Sequence, residues 1–231
     1  MFVFLKSIVT SRHGSRIPHI WPILGSFFLT VAIGTPIHAD TKDTPAEVVV
    51  LFFGDSLTAG YGLSEEDAYP AHVEKLAAGA GHRILAINAG LSGETTAGGA
   101  RRIGWVLRRP IDVMVLALGG NDGLRGIDPE ETRRNLTTII QRARAEQPHL
   151  RILLTGMQAP PNMGEAYTQA FREVFEEVAN TENVAFLPFL LESVGGDPSR
   201  NLPDGIHPNP EGHQIIAQTV WDNLKPLLTE K

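Results

Sequence analysis

Ser56 closes an apolar run in VLFFGDSLTAGYG (50–62), set between Asp55 and a stretch of small residues. Two readings of that position compete. A serine between a strand and a helix is a common N-cap, and its place in the chain alone does not make it a nucleophile. A second segment, NLPDGIHPNPEGH (201–213), carries Asp204 and His207 three residues apart in a loop pinned by Pro203, Pro208 and Pro210. That spacing can set both side chains on the same side of one turn, where a carboxylate fixes one imidazole nitrogen and leaves the other free to accept a proton. A serine hydroxyl is a poor nucleophile until a neighbouring base removes its proton during attack. An isolated DxxH is ordinary in surface turns; it takes its meaning here from the company of Ser56.

Acyl transfer from a serine also needs donors placed in advance around the tetrahedral oxyanion. Removing one such donor costs about 10²–10³ in rate. GDSLTAGYG, AGLSGETTAGG and GGNDGLRG each combine glycine with Ser, Ser or Asn. Glycine-flanked backbone amides and an asparagine side chain suit the task. Ser56, Gly93 and Asn121 can therefore supply three donors from three separate segments.

These segments require a scaffold that brings them together. From Glu47 onward short apolar runs alternate with longer amphipathic stretches. VVVLFF (48–53), ILAIN (84–88), VMVLAL (113–118), ILLTG (152–156) and VAFLPF (184–189) read as buried strands. Helices are expected over Tyr69–Ala78, Thr95–Leu107, Pro129–Glu146, Glu165–Asn180 and Pro210–Leu227. The third has a clear start signal in Asp128, Pro129 and Glu131. Strands alternating with helices imply parallel pairing through right-handed crossovers, hence an α/β fold: a three-layer α/β/α sandwich around a mainly parallel five-stranded sheet. In such sheets the functional crevice lies beyond the carboxyl ends of the strands, where the three glycine-bearing segments fall.

GDSL (54–57), the glycine of SGET (92–95), GGND (119–122) and DGIHP (204–208), in this order, resemble the blocks of the SGNH, or GDSL-type, hydrolases. The resemblance spans about residues 48–227, and four ordered blocks are far more specific than one. GGNDGLRG with DGIHPN is similar to the bacterial periplasmic branch acting as arylesterase, acyl thioesterase and lysophospholipase. The resemblance implies a flavodoxin-like fold, Ser56 as nucleophile, His207 as general base and then acid, and Asp204 orienting the histidine. It also implies oxyanion donation by the Ser56 and Gly93 backbone and the Asn121 side chain, with no cofactor. The expected partner is a small-molecule acyl ester. A carbohydrate deacetylase of the same family and a noncatalytic ligand-binding domain remain as alternatives, and acyl-chain length and oligomeric state stay open at this point.

Other polar residues have plainer readings. Asp55 and Asp122 are expected to organise their loops by hydrogen bonding. His213 could join His207 and Asp204 around a metal, but zinc takes three or four protein ligands at compatible spacing and no HExxH pattern is present, so no metal is expected. The glycine segments lack GxxxxGK[ST], GxGxxG and GxSxG, which leaves no signal for a nucleotide cradle or another hydrolase elbow. Leu124 and Ile127 in GLRGIDP, with Met157, Pro160, Pro161 and Met163 in MQAPPNMGEAY, would suit an acyl chain, although loop apolar residues equally pack onto their own domain.

The chain has 231 residues, a net charge of −6 and no cysteine. That excludes thiol nucleophiles and disulfides, and without long basic blocks no nucleic-acid partner is expected. Residues 1–39 contain Lys6, Arg12 and Arg16, no acid, and then IWPILGSFFLTVAIG before PIHAD. A basic leader, a short apolar stretch and the small Ala39 resemble a secretory signal peptide, and the stretch is short for a membrane span. Export to the periplasm or beyond follows as an expectation, with no stable span after processing and a hydrolase domain over residues 46–229; an uncleaved N-terminal anchor is the alternative that the leader leaves open. Loss of three basic residues and no acid would take the formal charge from −6 to −9.

Overall fold

Val48–Gly54 forms β1, an interior strand of the sheet, and its VVVLFFG sequence is buried almost throughout. It pairs in parallel with β2 (Ile84–Gly90) on one side and β3 (Val113–Ala117) on the other. β4 (Arg151–Thr155) and β5 (Ala185–Leu187) extend the sheet beyond β3, giving the order β2-β1-β3-β4-β5 with every pair parallel. The computed structural model describes residues 47–229. The signal-peptide reading of residues 1–39, and the boundary at residue 46, lie outside the described residues. All described elements belong to the compact unit Asp43–Lys231.

Helices cover both faces, as a parallel sheet buried on two sides requires. α2 (Tyr69–Gly79) packs on α7 (Pro210–Thr229), while α5 (Pro129–Glu146) packs between α3 (Thr96–Val106) and α6 (Glu165–Glu182). Local chemistry sets their starts. The Asp128 side chain accepts from Glu130 N with Pro129 in the first turn, and Asn209 Oδ1 accepts from Gly212 N at the head of α7. Phe171, Val174, Phe175 and Val178 form the buried stripe of α6 at the helical period. Among the described residues no helix is long and apolar enough to cross a membrane.

Two segments expected as loops are short helices: α1 (Ser56–Ala59) directly after β1 and α4 (Gly120–Arg125) directly after β3. Both end in a left-handed glycine, Gly60 and Gly126. α1 lies very close to the end of β2, since a Cβ on Gly90 would stand 2.2 Å from Ala59 N. β5 is shorter than its apolar run. The strand stops at Leu187 because Pro188 has no N–H to continue the ladder, which frees Phe189 and Leu191 for another use.

Candidate active site

The sheet order decides what meets beyond its carboxyl edge. β1 lies between β2 and β3, so Ser56 at the start of α1 is flanked by Gly93 in the β2–α3 loop and by Asn121 on α4. This is the point at which the strand order reverses, the usual site of a ligand crevice in doubly wound sheets. Asp55, not Ser56, caps α1: its Oδ1 accepts from Leu57 N at 3.0 Å. The serine hydroxyl is thereby left for other work.

His207 reaches that hydroxyl from 151 residues away, with Nε2 3.0 Å from Ser56 Oγ. Its other nitrogen, Nδ1, lies 2.7 Å from Asp204 Oδ2. Asp204 Oδ1 also accepts from Ile206 N at 2.9 Å and His207 N at 3.0 Å. The backbone N–H of His207, then its ring, then the N–H of Ile206 hold the Asp204 carboxyl down at about 2. An ionised carboxylate can only accept, so Nδ1 carries the proton and Nε2 of the neutral ring accepts from the serine. The loop is closed by the Asn201–Pro208 bridge and by Leu202 N donating to His207 O. Tyr61 covers the imidazole, ring centroids 4.4 Å apart.

The flanking groups are held from both sides. Gly93 has φ +80°, a left-handed conformation that a side chain resists. Next to it, Glu94 pairs with Arg102, whose guanidinium lies over the Phe53 ring. Asn121 Nδ2 donates to Glu94 O at 3.1 Å and to Asp55 Oδ2 at 3.3 Å. Burial pushes Asp55 up to about 6, against the pull of the Leu57 N–H and the Asn121 amide. Asp122 is fully buried; it accepts from Thr96 N at 2.9 Å and from the Thr96 hydroxyl, tying α4 to the start of α3.

A cleft of about 800 Å³ opens at Ser56 and His207 and runs toward the ends of β4 and β5. Leu124, Met157, Pro160 and Pro161 line it, as the sequence suggests. Ile127 and Met163 do not. Gly126 turns the chain away from the cleft, so the Ile127 carbonyl accepts from Tyr167 Oη, and Met163 Cε packs toward Gly126. Tyr61, Phe189, Leu191 and Ile206 line the cleft without having been anticipated. Phe189 was legible in principle, given the proline ending β5. His213 is buried away from the cleft, its Nδ1 accepting from Tyr69 N and its pKa lowered by burial to about 4. Among the described residues no cluster of three or more His, Cys, Asp or Glu is arranged to hold a metal ion.

The model of the GDSL-like lipase/acylhydrolase family matches residues 52–215. The chain is 41% identical to the esterase TesA of Pseudomonas aeruginosa over 79% of its own length and 90% of the relative's. A crystal structure of TesA superposes with a TM-score of 0.74 at 40% identity, covering 78% of this chain and 99% of that one. Thioesterase 1/protease 1/lysophospholipase L1 of Escherichia coli is 36% identical, over 78% of this chain and 84% of its own. The psychrotrophic esterase EstA from Pseudoalteromonas, in a structure inhibited by monoethylphosphonate, is 28% identical with a TM-score of 0.74, covering 79% of this chain and 99% of that one.

Proposed function

The chain belongs to the GDSL-like lipase/acylhydrolase family and is a hydrolase of ester bonds; we propose that it works as a serine esterase through an acyl-enzyme on Ser56. One observation carries this reading: the continuous relay from Ser56 Oγ through His207 to the ionised Asp204, at 3.0 and 2.7 Å. In acylation Ser56 Oγ attacks the ester carbonyl carbon while its proton passes to His207 Nε2. The Ser56 and Gly93 N–H groups, with one N–H of Asn121, donate to the developing oxyanion. For Asn121 this means exchanging its longer bond, to Asp55, for the substrate oxygen. His207 then gives its proton to the departing alcohol or thiol, and the same nitrogen activates water for deacylation. Inhibition of EstA by a phosphonate, a tetrahedral phosphorus ester, fits a chemistry shared across the fold.

The apolar walls from Leu124, Met157, Pro160, Phe189 and Leu191 suit a single acyl chain, so aryl and acyl esters, lysophospholipids and acyl thioesters form the substrate range. The leader-like residues 1–39 support an exported enzyme, with 46–229 as its hydrolase domain, for which single-chain envelope lipids are more accessible than cytosolic acyl-CoA. The test is hydrolysis of p-nitrophenyl esters from acetyl to octanoyl by wild type, Ser56→Ala and His207→Ala. Both variants are expected to melt like wild type and lose turnover, with wild type favouring the longer chains. Full activity of either variant would overturn the mechanism, and a strong preference for acetyl would point to the deacetylase alternative.

A further inference from the structure

We infer that Arg125 is a positioning residue that sets which end of the Asn121 amide faces the cleft, keeping a donor turned toward the oxyanion. The inference rests on the oxyanion reading of Asn121 given above. An asparagine amide has a carbonyl acceptor and an NH₂ donor of nearly equal size, and half a turn about its last bond exchanges them. Only the neighbours distinguish the two arrangements. Nδ2 faces two acceptors, Glu94 O at 3.1 Å and Asp55 Oδ2 at 3.3 Å, while Oδ1 faces a donor, Arg125 Nη2, at 3.4 Å. A turned amide would set its NH₂ against a guanidinium and its carbonyl against a carboxylate and a peptide oxygen. All three contacts would become repulsive.

The same Arg125 nitrogen donates to Gly93 O at 3.0 Å. Gly93 and Asn121 approach Ser56 from opposite sides, β2 and β3 flanking β1, so one guanidinium spans the two flanking donors from outside. A cation bonded to Oδ1 also polarises the amide and strengthens its N–H as a donor. Arg125 is not what holds the two elements together. The buried Asp122 already ties α4 to Thr96, whereas Arg125 is exposed and its two acceptors are uncharged. Its removal should therefore disturb the orientation of an amide more than the fold.

The experiment is a double-mutant cycle on an aryl octanoate, with melting temperature measured in parallel. Arg125→Met is expected to lower kcat about 10-fold, less than the 10²–10³ of a deleted donor, with KM within about twofold. Arg125→Lys, which can still donate to Oδ1, should recover most of that loss. In the Asn121→Ala background, Arg125→Met should have no further effect on kcat, since nothing remains to orient. An equal kcat loss in both backgrounds, a rise confined to KM, or unchanged kcat in Arg125→Met would overturn the inference. Unchanged kcat in Asn121→Ala itself would overturn the oxyanion reading beneath it instead. Should Arg125→Met melt early, the same cycle run well below its melting temperature, where all four proteins are fully folded, carries the same expected and overturning outcomes.

Discussion

Asp204 performs two jobs through different oxygens, and exchanging it for Asn or Ala should separate them. Oδ1 accepts the backbone N–H groups of Ile206 and His207 and so shapes the loop, whereas Oδ2 accepts from His207 Nδ1 and so sets the tautomer. Asparagine keeps an oxygen for the two backbone donors but turns an NH₂ toward Nδ1. The ring then accepts at Nδ1 and carries its proton on Nε2, where it can no longer take the proton of Ser56. Burying the corresponding carboxylate in a serine protease makes this exchange worth about 10⁴ in kcat. The Asp204 side chain here is 36% exposed. Water can compete for Nδ1, which brings the expected loss for Asp204→Asn to about 10²–10³. Asp204→Ala leaves the tautomer free and should lose only about 10–10², but it forfeits the loop bonds and should melt about 2–4 °C lower than Asp204→Asn. Activity should thus rank wild type, Ala, Asn, while stability ranks wild type, Asn, Ala. Steady-state hydrolysis of an aryl octanoate and thermal melts of the three proteins check both orders. If activity simply follows stability, the tautomer argument is wrong.

Three further outcomes are expected. Asn121→Ala should lower kcat by about 10²–10³ with KM within about threefold, read from the same steady-state assay. Gly90→Ala places a Cβ 2.2 Å from Ala59 N and 2.6 Å from Ala59 Cα, so α1 must move by about 1 Å; kcat should fall about 10²-fold while circular dichroism still shows a folded protein. Burial holds His213 neutral down to about pH 4, whereas the unfolded chain takes up that proton near 6.5. The folded state therefore loses stability as pH falls through this window, and the melting-temperature gap between wild type and His213→Gln should narrow from pH 7 to pH 4.

How far the sequence could be read depended on the range of the interaction involved. β1 and β3 are legible because strands buried on both faces must be continuously apolar, and α5 because Asp128, Pro129 and Glu131 mark its start locally. The segments carrying Ser56, Gly93 and Asn121 are legible because a parallel sheet puts its crevice at the carboxyl ends of its strands, and Asp204 and His207 because their spacing in a proline-pinned loop is itself local. α1 and α4 were not, since four and six residues are too few for a helical period to appear. The capping question around Ser56 had its answer one residue earlier, in Asp55. Leu191 leaves no local signal, whereas Phe189 is masked only by reading the apolar run straight through Pro188, the residue that marks the strand's end. Tyr61 over His207 and Arg125 against Gly93 leave no trace in sequence, because both contacts depend on strand order, which no local pattern encodes.

Everything in the mechanism turns on which atom becomes covalently bound to the acyl group. Wild-type protein treated with a fluorophosphonate, digested and mapped by mass spectrometry gives that atom directly, because only a hydroxyl activated by its base is phosphonylated at an appreciable rate. The adduct is expected on the peptide carrying Ser56, to be absent from Ser56→Ala and to form much more slowly in His207→Ala. An adduct on any other residue, or undiminished labelling of Ser56→Ala, would contradict the account.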